Sequence, residues 1–201
     1  MRPLLDILYN FRWVRQGEAA RASQAHFGGL QRLMTRHGLK AIINLRGENS
    51  DLFWWRYERA VCERLGARHY DTMLDSRKLP TRAMLAALIA AFDEAPRPFL
   101  LKCSGGQDRT GFAASLYLIH RQGWGARGAA LEEFAAGARK QQRWSKLLLA
   151  HAEEESGGGA LGAWIKNDYE PQRFAAWLDA RGQGDSFAGI FERPRRSPWQ
   201  L

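Results

Sequence analysis

The sequence predicts an α/β domain in which a central, mostly parallel sheet is flanked by helices, followed by a helical C-terminal extension. Two apolar runs, at residues 42–45 and 99–101, are short, nearly continuous and bounded by polar residues, as buried parallel strands are. Segments with helical periodicity alternate with these runs, which is typical of helices that cover a parallel sheet. Beyond Gly123 only helical patterns remain, and these predict the extension.

The N-terminal part is expected to begin with two short strands within residues 10–23, joined by a turn at Gln16 and Gly17. A helix is predicted from about residue 26 to residue 37, where Gly38 ends it. The buried strand at 39–45 follows.

The middle of the chain repeats this alternation. Asp51 is expected to cap a helix that runs to residue 65 and stops at Gly66, and residues 68–73 form the next strand. Pro80 suits the start of a further helix with an apolar stripe. The short strand at 99–101 then leads into a glycine-containing loop and another helix.

Two more helices are expected near the C-terminus, one around residues 144–151 and one from Pro171 to Gly182. Between them, residues 156–159 contain three consecutive glycines and are interpreted as a flexible joint. We therefore divide the chain into a domain at 1–155 and a segment at 156–201, which comprises the joint, a helix and a basic tail packed on the same domain.

The composition limits the choice of partner and compartment. A chain of 201 residues, 45% of them hydrophobic, suffices for one compact core. The formal net charge of +9 favours an anionic partner, such as a phosphorylated molecule, or peripheral contact with an anionic membrane. The basic residues are spread along the chain, with short clusters only at 139–143 and 193–196, and no nucleic acid is expected as a partner. Two cysteines exclude a disulfide framework and fit a reducing, cytoplasmic location; no export signal or transmembrane run is recognised.

The segment with a chemical signature is the loop at residues 103–111, which reads Cys-Ser-Gly-Gly-Gln-Asp-Arg-Thr-Gly between a strand and a helix. Such a loop directs several backbone N–H groups into one concavity at a helix N-terminus, where an oxyanion binds. A cysteine in this positive field is expected to be largely thiolate at neutral pH, and the planar guanidinium of Arg109 matches two phosphate oxygens. Thiolate attack on phosphorus would give a phosphocysteine that water removes. The predicted phosphate-binding residues are Ser104, Gly105, Gly106, Gln107, Asp108 and Arg109.

This loop resembles the signature of the protein tyrosine and dual-specificity phosphatase superfamily, which is a cysteine, five residues, an arginine, and then serine or threonine. Cys103, Arg109 and Thr110 fit that signature. The segments at 21–24 and 42–46 are similar to the opening of the small atypical dual-specificity group, so the resemblance covers about residues 10–123. It implies that Thr110 assists departure of the leaving group or orients the hydrolytic water.

Lys102 departs from that signature, because the superfamily usually has a histidine before the cysteine. Two outcomes are open. The ammonium group either stays near the loop and supports the thiolate electrostatically, or it points away and leaves the loop less well ordered.

The leaving oxygen needs a proton, and three aspartates are candidates for the general acid. The resemblance implies two of them. Asp75 lies on a loop between a strand and a helix that precedes the signature, and Asp108 lies directly before Arg109, where myotubularin-like and some bacterial lipid-acting phosphatases carry the acid. These two stay nearly even alternatives, and Asp71, inside a predicted strand, ranks behind them.

Other conspicuous residues are interpreted as structural. Arg46 follows a strand end where ligands gather, but we favour an ion pair with an acid such as Glu48. Cys62 is interpreted as a small apolar residue on a helix, with an oxidative disulfide to Cys103 as the alternative. The aromatic residues at 54–57 suit helix packing better than base stacking. The histidines lack metal-ligand spacing, so neither metal nor cofactor is predicted.

The sequence thus predicts a cysteine-dependent phosphoric monoester hydrolase. Its substrates would be phosphotyrosine or dual-specificity protein sites, phosphoinositides or inositol phosphates, and the net charge and Asp108 favour the strongly anionic ones. Two alternatives from other classes remain. Lys102 leaves room for a phosphate-binding module without catalysis, and a rhodanese-like sulfurtransferase also uses a loop cysteine on an α/β sheet.

Overall fold

A computed structural model describes residues 3–131 and 143–192. At its centre lies a five-stranded sheet in the order β1-β2-β5-β3-β4. The first strand pairs antiparallel with the second, and the other three pairings are parallel, so the prediction of a mostly parallel sheet is confirmed. The strands are β1 (Arg12–Arg15), β2 (Ala19–Ala22), β3 (Ala41–Asn44), β4 (Arg68–Asp71) and β5 (Phe99–Lys102).

Helices flank the sheet and make up the C-terminal part of the described chain, as predicted. Short 3-10 helices at Trp124–Ala126 and Ala188–Ile190 accompany them. Within the described residues, no helix has the length and apolar character needed to cross a bilayer. The α-helices are α1 (Leu4–Leu8), α2 (Gly29–His37), α3 (Phe53–Leu65), α4 (Arg82–Glu94), α5 (Asp108–Gln122), α6 (Arg127–Ala130), α7 (Arg143–Glu155), α8 (Leu161–Asn167), α9 (Pro171–Asp179) and α10 (Gly184–Phe187).

Helices α2 and α3 begin later than the sequence predicts. Phe27 and Gly28 both have positive φ angles, of 49° and 79°, which a right-handed helix does not accommodate, so α2 starts at residue 29 and not at 26. The residue that precedes α3 is Leu52, and no side chain caps the helix, so the predicted cap by Asp51 is wrong.

The starts of α4 and α5 also differ from expectation. The hydroxyl of Thr81 accepts a hydrogen bond from the Met84 N–H and caps α4, so Pro80 lies before the helix and not at its first turn. Helix α5 begins at Asp108, and Asp108 and Arg109 therefore lie in its first turn. Arg109 is thereby attached to a regular helix and not to a flexible loop.

The segment predicted as a flexible joint forms a hydrogen-bonded turn that closes α7. The Gly158 N–H donates to the Glu153 carbonyl at 3.1 Å, and the Trp124 indole donates to the Gly159 carbonyl at 2.6 Å. The predicted basic tail and cluster at 193–196, and most of the cluster at 139–143, lie outside the described residues.

Two hydrophobic clusters lie on the two faces of the sheet, because successive strand residues point in opposite directions. Leu101 belongs to the larger cluster and its neighbour Leu100 to the smaller. The larger cluster also contains Trp164 and Phe174 from the C-terminal helices, so these helices pack on the same core as α4 and α5. Strand β5 lies between β2 and β3, and the loop that follows it emerges at the carboxyl edge of the sheet.

Candidate active site

The loop between β5 and α5 is folded tightly around the cysteine. The Gly106 N–H donates to Cys103 Sγ at 3.3 Å, and Cys103 is only 3% exposed. Gly106 has a φ of 64°, and a Cβ at this position would lie 2.4 Å from the Ser23 backbone nitrogen. Only glycine fits there. A Cβ at Gly105, by contrast, would meet no atom within 4 Å.

The loop is held from behind by residues of the N-terminal segment. Arg21 Nη1 and Asn10 Nδ2 both donate to the Gly106 carbonyl, at 2.5 and 2.9 Å. The backbone N–H of Gln24 donates to the Ser104 carbonyl at 3.0 Å. These bonds hold the loop carbonyls toward the rear of the loop. The N–H groups of the loop can therefore face an anion on the other side.

Arg109 reaches across the mouth of the loop. Its Nη2 donates to Ser104 Oγ at 3.0 Å, and its guanidinium is partly exposed. The fold therefore brings Cys103, Ser104, Gly106 and Arg109 together. Thr110 is buried, and its hydroxyl donates to the Gln107 carbonyl at 3.4 Å, a contact that braces the loop against α5.

Lys102 lies beneath the loop and is fully buried. Its ammonium group forms an ion pair with the Glu58 carboxylate and donates to Gln24 Oε1 at 2.9 Å. Burial lowers the pKa of Lys102 to about 8, although the attraction of Glu58 and of Cys103 opposes this shift. Of the two outcomes open at this position, the structure shows the one in which the charge stays near the loop.

Glu58 is the buried counter-charge, and its side chain has no exposed surface. Burial by itself would raise the pKa of this carboxyl group, but the attraction of Lys102 and hydrogen bonds from His69, Lys102 and Gln24 outweigh burial and lower it. No sequence pattern points to Glu58, because it lies on α3 and is 44 positions from Lys102. Glu58 is seen to face Lys102 only when α3 packs against the sheet.

Arg46 belongs to the same group of charges. Its Nη1 donates to Gln24 Oε1 at 3.2 Å, and its guanidinium carbon lies 3.6 Å from the centroid of the Trp54 ring. Burial and the like charge of Arg109 lower its pKa to about 10, while Glu58 and Cys103 act in the opposite sense. From the sequence a structural ion pair is expected for Arg46, but its electrostatic neighbours are Arg109, Glu58 and Cys103, which belong to the candidate site.

The three aspartates proposed as general acid have different surroundings. Asp75 Oδ1 accepts the backbone N–H groups of Arg77 and Lys78, at 2.7 and 3.2 Å, and closes a turn. Asp71 ends β4; burial raises its pKa, but hydrogen bonds from His69, Asn44 and Trp55 outweigh burial and lower it. Asp108 Oδ1 is buried and has no hydrogen-bond partner among the described residues.

Cys62, Trp55 and Tyr57 of α3 have structural surroundings. Cys62 is buried in the smaller cluster, whereas Cys103 belongs to the larger one, and burial raises the pKa of the Cys62 thiol to about 12. The Trp55 indole donates to Asp71 and Tyr57 accepts the Gly28 N–H, as expected for helix packing. Among the described residues, no group of three or more His, Cys, Asp or Glu side chains is arranged to hold a metal ion.

Comparison with known proteins identifies the class to which this fold and loop belong. Residues 9–121 match the tyrosine phosphatase family, and the chain therefore belongs to that family. No curated protein matches the chain.

Several solved phosphatase structures share the fold. TpbA of P. aeruginosa is 21% identical, with a TM-score of 0.56 over 81% of this chain and 94% of its own. The core catalytic domain of the PP-IP phosphatase Siw14 of S. cerevisiae is 18% identical, with a TM-score of 0.53 over 87% of this chain and 93% of its own. Tk-PTP is 18% identical, with a TM-score of 0.56 over 72% of this chain and 96% of its own. At these identities the comparison establishes the common fold.

Proposed function

We propose that the chain hydrolyses phosphate monoesters through a phosphocysteine formed on Cys103. The observation that carries the proposal is the loop geometry, in which the Cys103 sulfur accepts the Gly106 N–H while Arg109 spans the mouth of the loop. A thiolate at this point accepts the Gly106 N–H and lies near the charges of Arg46 and Lys102, which interact with it.

In the first step the Cys103 thiolate attacks phosphorus, and the S–P bond forms as the P–O bond to the leaving group breaks. The loop N–H groups and Arg109 hold the equatorial oxygens, with Ser104, Gly105, Gln107 and Asp108 completing the phosphate-binding loop. The leaving oxygen takes a proton from the general acid. In the second step water attacks phosphorus, its proton returns to the acid, and phosphate departs as the thiolate is restored. Thr110 contributes by bracing the loop.

For the general acid we favour Asp108 over Asp75. The buried Oδ1 of Asp108 is unpartnered among the described residues, so no hydrogen bond of this oxygen has to break when the carboxyl group turns toward a substrate. The Asp75 carboxylate already accepts two backbone N–H groups, a contact that it would lose on turning toward a substrate.

The substrate class is proposed from charge. Arg46 and Arg109 are close enough to repel one another, and a strongly anionic ligand would relieve that repulsion. A TpbA structure contains phosphotyrosine, and Siw14 is a PP-IP phosphatase. We therefore propose phosphotyrosine, phosphoinositides and inositol phosphates as substrates. We further propose that catalysis takes place in the domain at 1–155, that the protein is cytoplasmic, and that the reaction requires neither a cofactor nor a nucleic acid.

The decisive experiment measures phosphate release from an aryl phosphate by the wild type and by Cys103→Ser. We expect the variant to lose at least about a thousandfold in kcat, because an alcohol cannot replace the thiolate nucleophile. It should still bind inorganic phosphate in a calorimetric titration. Cys62→Ser is the matched control, since it changes the other buried cysteine, which lies outside the loop.

Other outcomes identify the alternatives. Phosphate binding by a wild-type protein that releases no phosphate would indicate a binding module. Transfer of sulfur from thiosulfate to cyanide would indicate a sulfurtransferase. Full turnover by Cys103→Ser would contradict the proposed nucleophile.

The acid assignment is tested by leaving-group dependence. Asp108→Asn should slow hydrolysis of an alkyl phosphate by about a hundredfold or more, and hydrolysis of an activated aryl phosphate much less, because only the poor leaving group needs the proton. Asp75→Asn serves as the comparison variant and should affect both substrates alike. The reverse pattern would transfer the role to Asp75.

A further inference from the structure

The large hydrophobic side chains that are most exposed come from α1, from the turn before α2 and from the start of α3. Phe27 is 94% exposed and Leu4 is 81% exposed, values far from those of core residues. The full set, named here the apolar rim, consists of Leu4, Ile7, Leu8, Phe27 and Phe53.

Helix α1 contributes three of these residues on a single face, because positions 4, 7 and 8 are spaced by three and four residues. The opposite face is anchored, since the buried Asp6 contacts His37 Nε2 at 2.9 Å. Two residues after Leu8, the Asn10 side chain donates to the Gly105 and Gly106 carbonyls. The end of α1 therefore lies within about 8 Å, two residue lengths, of a residue that touches the phosphate loop.

Phe27 and Phe53 belong to two further segments that contact the loop or one another. Phe27 follows Gln24 by three residues, and the Gln24 N–H donates to the Ser104 carbonyl of the loop. The Phe53 ring stacks on Tyr57 at 6.2 Å, and the Tyr57 hydroxyl accepts the N–H of Gly28, the neighbour of Phe27. The apolar rim is thus built from segments that contact the loop or one another.

The backbone of Phe27 is a second, independent observation. Its φ of 49° lies in the left-handed region, where a bulky residue is an outlier that the surrounding structure must enforce. Here that conformation presents an aromatic ring almost entirely to solvent, which buries no surface in return. A strained residue that exposes an aromatic ring indicates a binding surface.

The charges around the rim indicate what kind of surface it binds. In the three segments that carry it, residues 3–12, 24–37 and 48–59, exposed arginines outnumber exposed acidic residues. The arginines are Arg12, Arg32, Arg36, Arg56 and Arg59, and the acidic residues are Glu48 and Asp51. Apolar side chains beside a cationic surface are the combination that inserts into an anionic bilayer interface.

We propose that the apolar rim docks the protein on an anionic membrane, with the phosphate loop at the level of the lipid headgroups. Leu4, Ile7, Leu8, Phe27 and Phe53 enter the interface, and the neighbouring arginines contact anionic headgroups. Docking does not depend on the proposed phosphatase activity. The substrate class that it implies, a phosphorylated lipid headgroup, does rest on that activity.

The docking test is cosedimentation of the full chain with sucrose-loaded vesicles. We expect binding to phosphatidylcholine vesicles containing phosphatidylserine to exceed binding to phosphatidylcholine alone by about tenfold or more, and to weaken with salt. The triple variant Ile7→Ser, Leu8→Ser, Phe27→Ser should lower the partition coefficient by at least about tenfold, because each side chain loses its apolar transfer free energy. Phe27→Leu by itself should retain binding.

Activity is measured on the same preparations to separate the two proposals. The triple variant should hydrolyse a soluble aryl phosphate at the wild-type rate, while it releases phosphate from vesicles containing a phosphatidylinositol phosphate at least about tenfold more slowly. Vesicle binding by Cys103→Ser should equal that of the wild type. Docking is therefore tested independently of the phosphatase proposal.

Two results would overturn the docking proposal. One is equal sedimentation of the wild type and the triple variant, or no sedimentation of either. The other is a wild type that self-associates in sedimentation velocity while the triple variant is monomeric, which would make the rim an interface between copies of this chain.

Discussion

The two sides of the loop between β5 and α5 are built differently. On the open side, Ser104, Gly105 and Gln107 are exposed, and Gly105 has free space around it. On the rear side, Gly106 is buried against β2, and a group of polar and charged residues fills the space behind it. That group, the rear side cluster, consists of Asn10, Arg21, Gln24, Glu58 and Lys102.

The difference shows where the geometry of the loop is enforced. Gly105 and Gln107 on the open side meet solvent and, in the proposed function, the substrate, so their backbone matters more than their side chains, whereas the Ser104 hydroxyl accepts a hydrogen bond from Arg109. The rear side cluster holds the loop carbonyls in place, and each member contacts another or contacts the loop. Substitutions on the rear side should therefore be costly, and those at Gly105 and Gln107 tolerated.

The largest contrast is expected between two neighbouring glycines. Gly106→Ala introduces a Cβ 2.4 Å from the Ser23 nitrogen in a residue with a φ of 64°, and only a shift of the backbone relieves that clash. We expect kcat/KM for an aryl phosphate to fall by about a hundredfold or more, since a small displacement of a reacting group is costly. Gly105→Ala, with open space, should remain within about threefold of the wild type. Equal losses would show that the two sides do not differ.

The buried ion pair should have the next largest effect, on stability. Lys102→Met leaves the Glu58 carboxylate buried without its partner, which costs about 3–5 kcal/mol in the free energy of unfolding. The double variant Lys102→Met, Glu58→Gln removes both charges and should recover most of this loss in a urea titration. If the double variant is as unstable as Lys102→Met, the unpaired Glu58 carboxylate is not the cause of the lost stability.

The same pair gives a pH dependence with a defined sign. Because the pKa of Glu58 is lowered in the folded protein from its ordinary value of 4.5, the unfolded chain binds the additional proton in acid. The Glu58 carboxylate therefore makes its full contribution to stability above about pH 4.5. This contribution is lost as the pH falls through the lower pKa that Glu58 has in the folded protein. As the pH falls below about 4.5, the urea midpoint should decrease more steeply for the wild type than for the double variant, which lacks this carboxylate. Parallel curves would contradict the assignment.

The smallest effect concerns one donor side chain on the rear side. Asn10→Ala removes one of two side-chain donors to the Gly106 carbonyl and leaves that of Arg21. We expect a loss of about 1 kcal/mol in stability and a decrease of less than about tenfold in kcat/KM. Gln107→Ala, on the open side, is the matched control and should change stability by less than about 0.5 kcal/mol.

Most of the fold was predictable because local patterns carry it. The apolar runs located the strands β3 and β5, and Gly38 and Gly66 ended helices α2 and α3 in the left-handed conformation. Helix starts were less accurate. Their positions depend on turns such as that at Phe27, whose conformation no local pattern indicates.

The sequence by itself determined which residues meet in this loop, because Cys103, the glycines and Arg109 are close in the chain, and their spacing predicts a phosphate-binding turn. Only the tertiary structure decided what surrounds that loop. Glu58 comes from α3, Asn10 from the N-terminal segment and Arg46 from the end of β3, and these residues meet the loop only when the strands pair and the helices pack. Contacts between distant segments depend on strand order and helix register, which are properties of the whole fold and are not encoded in any one stretch of residues.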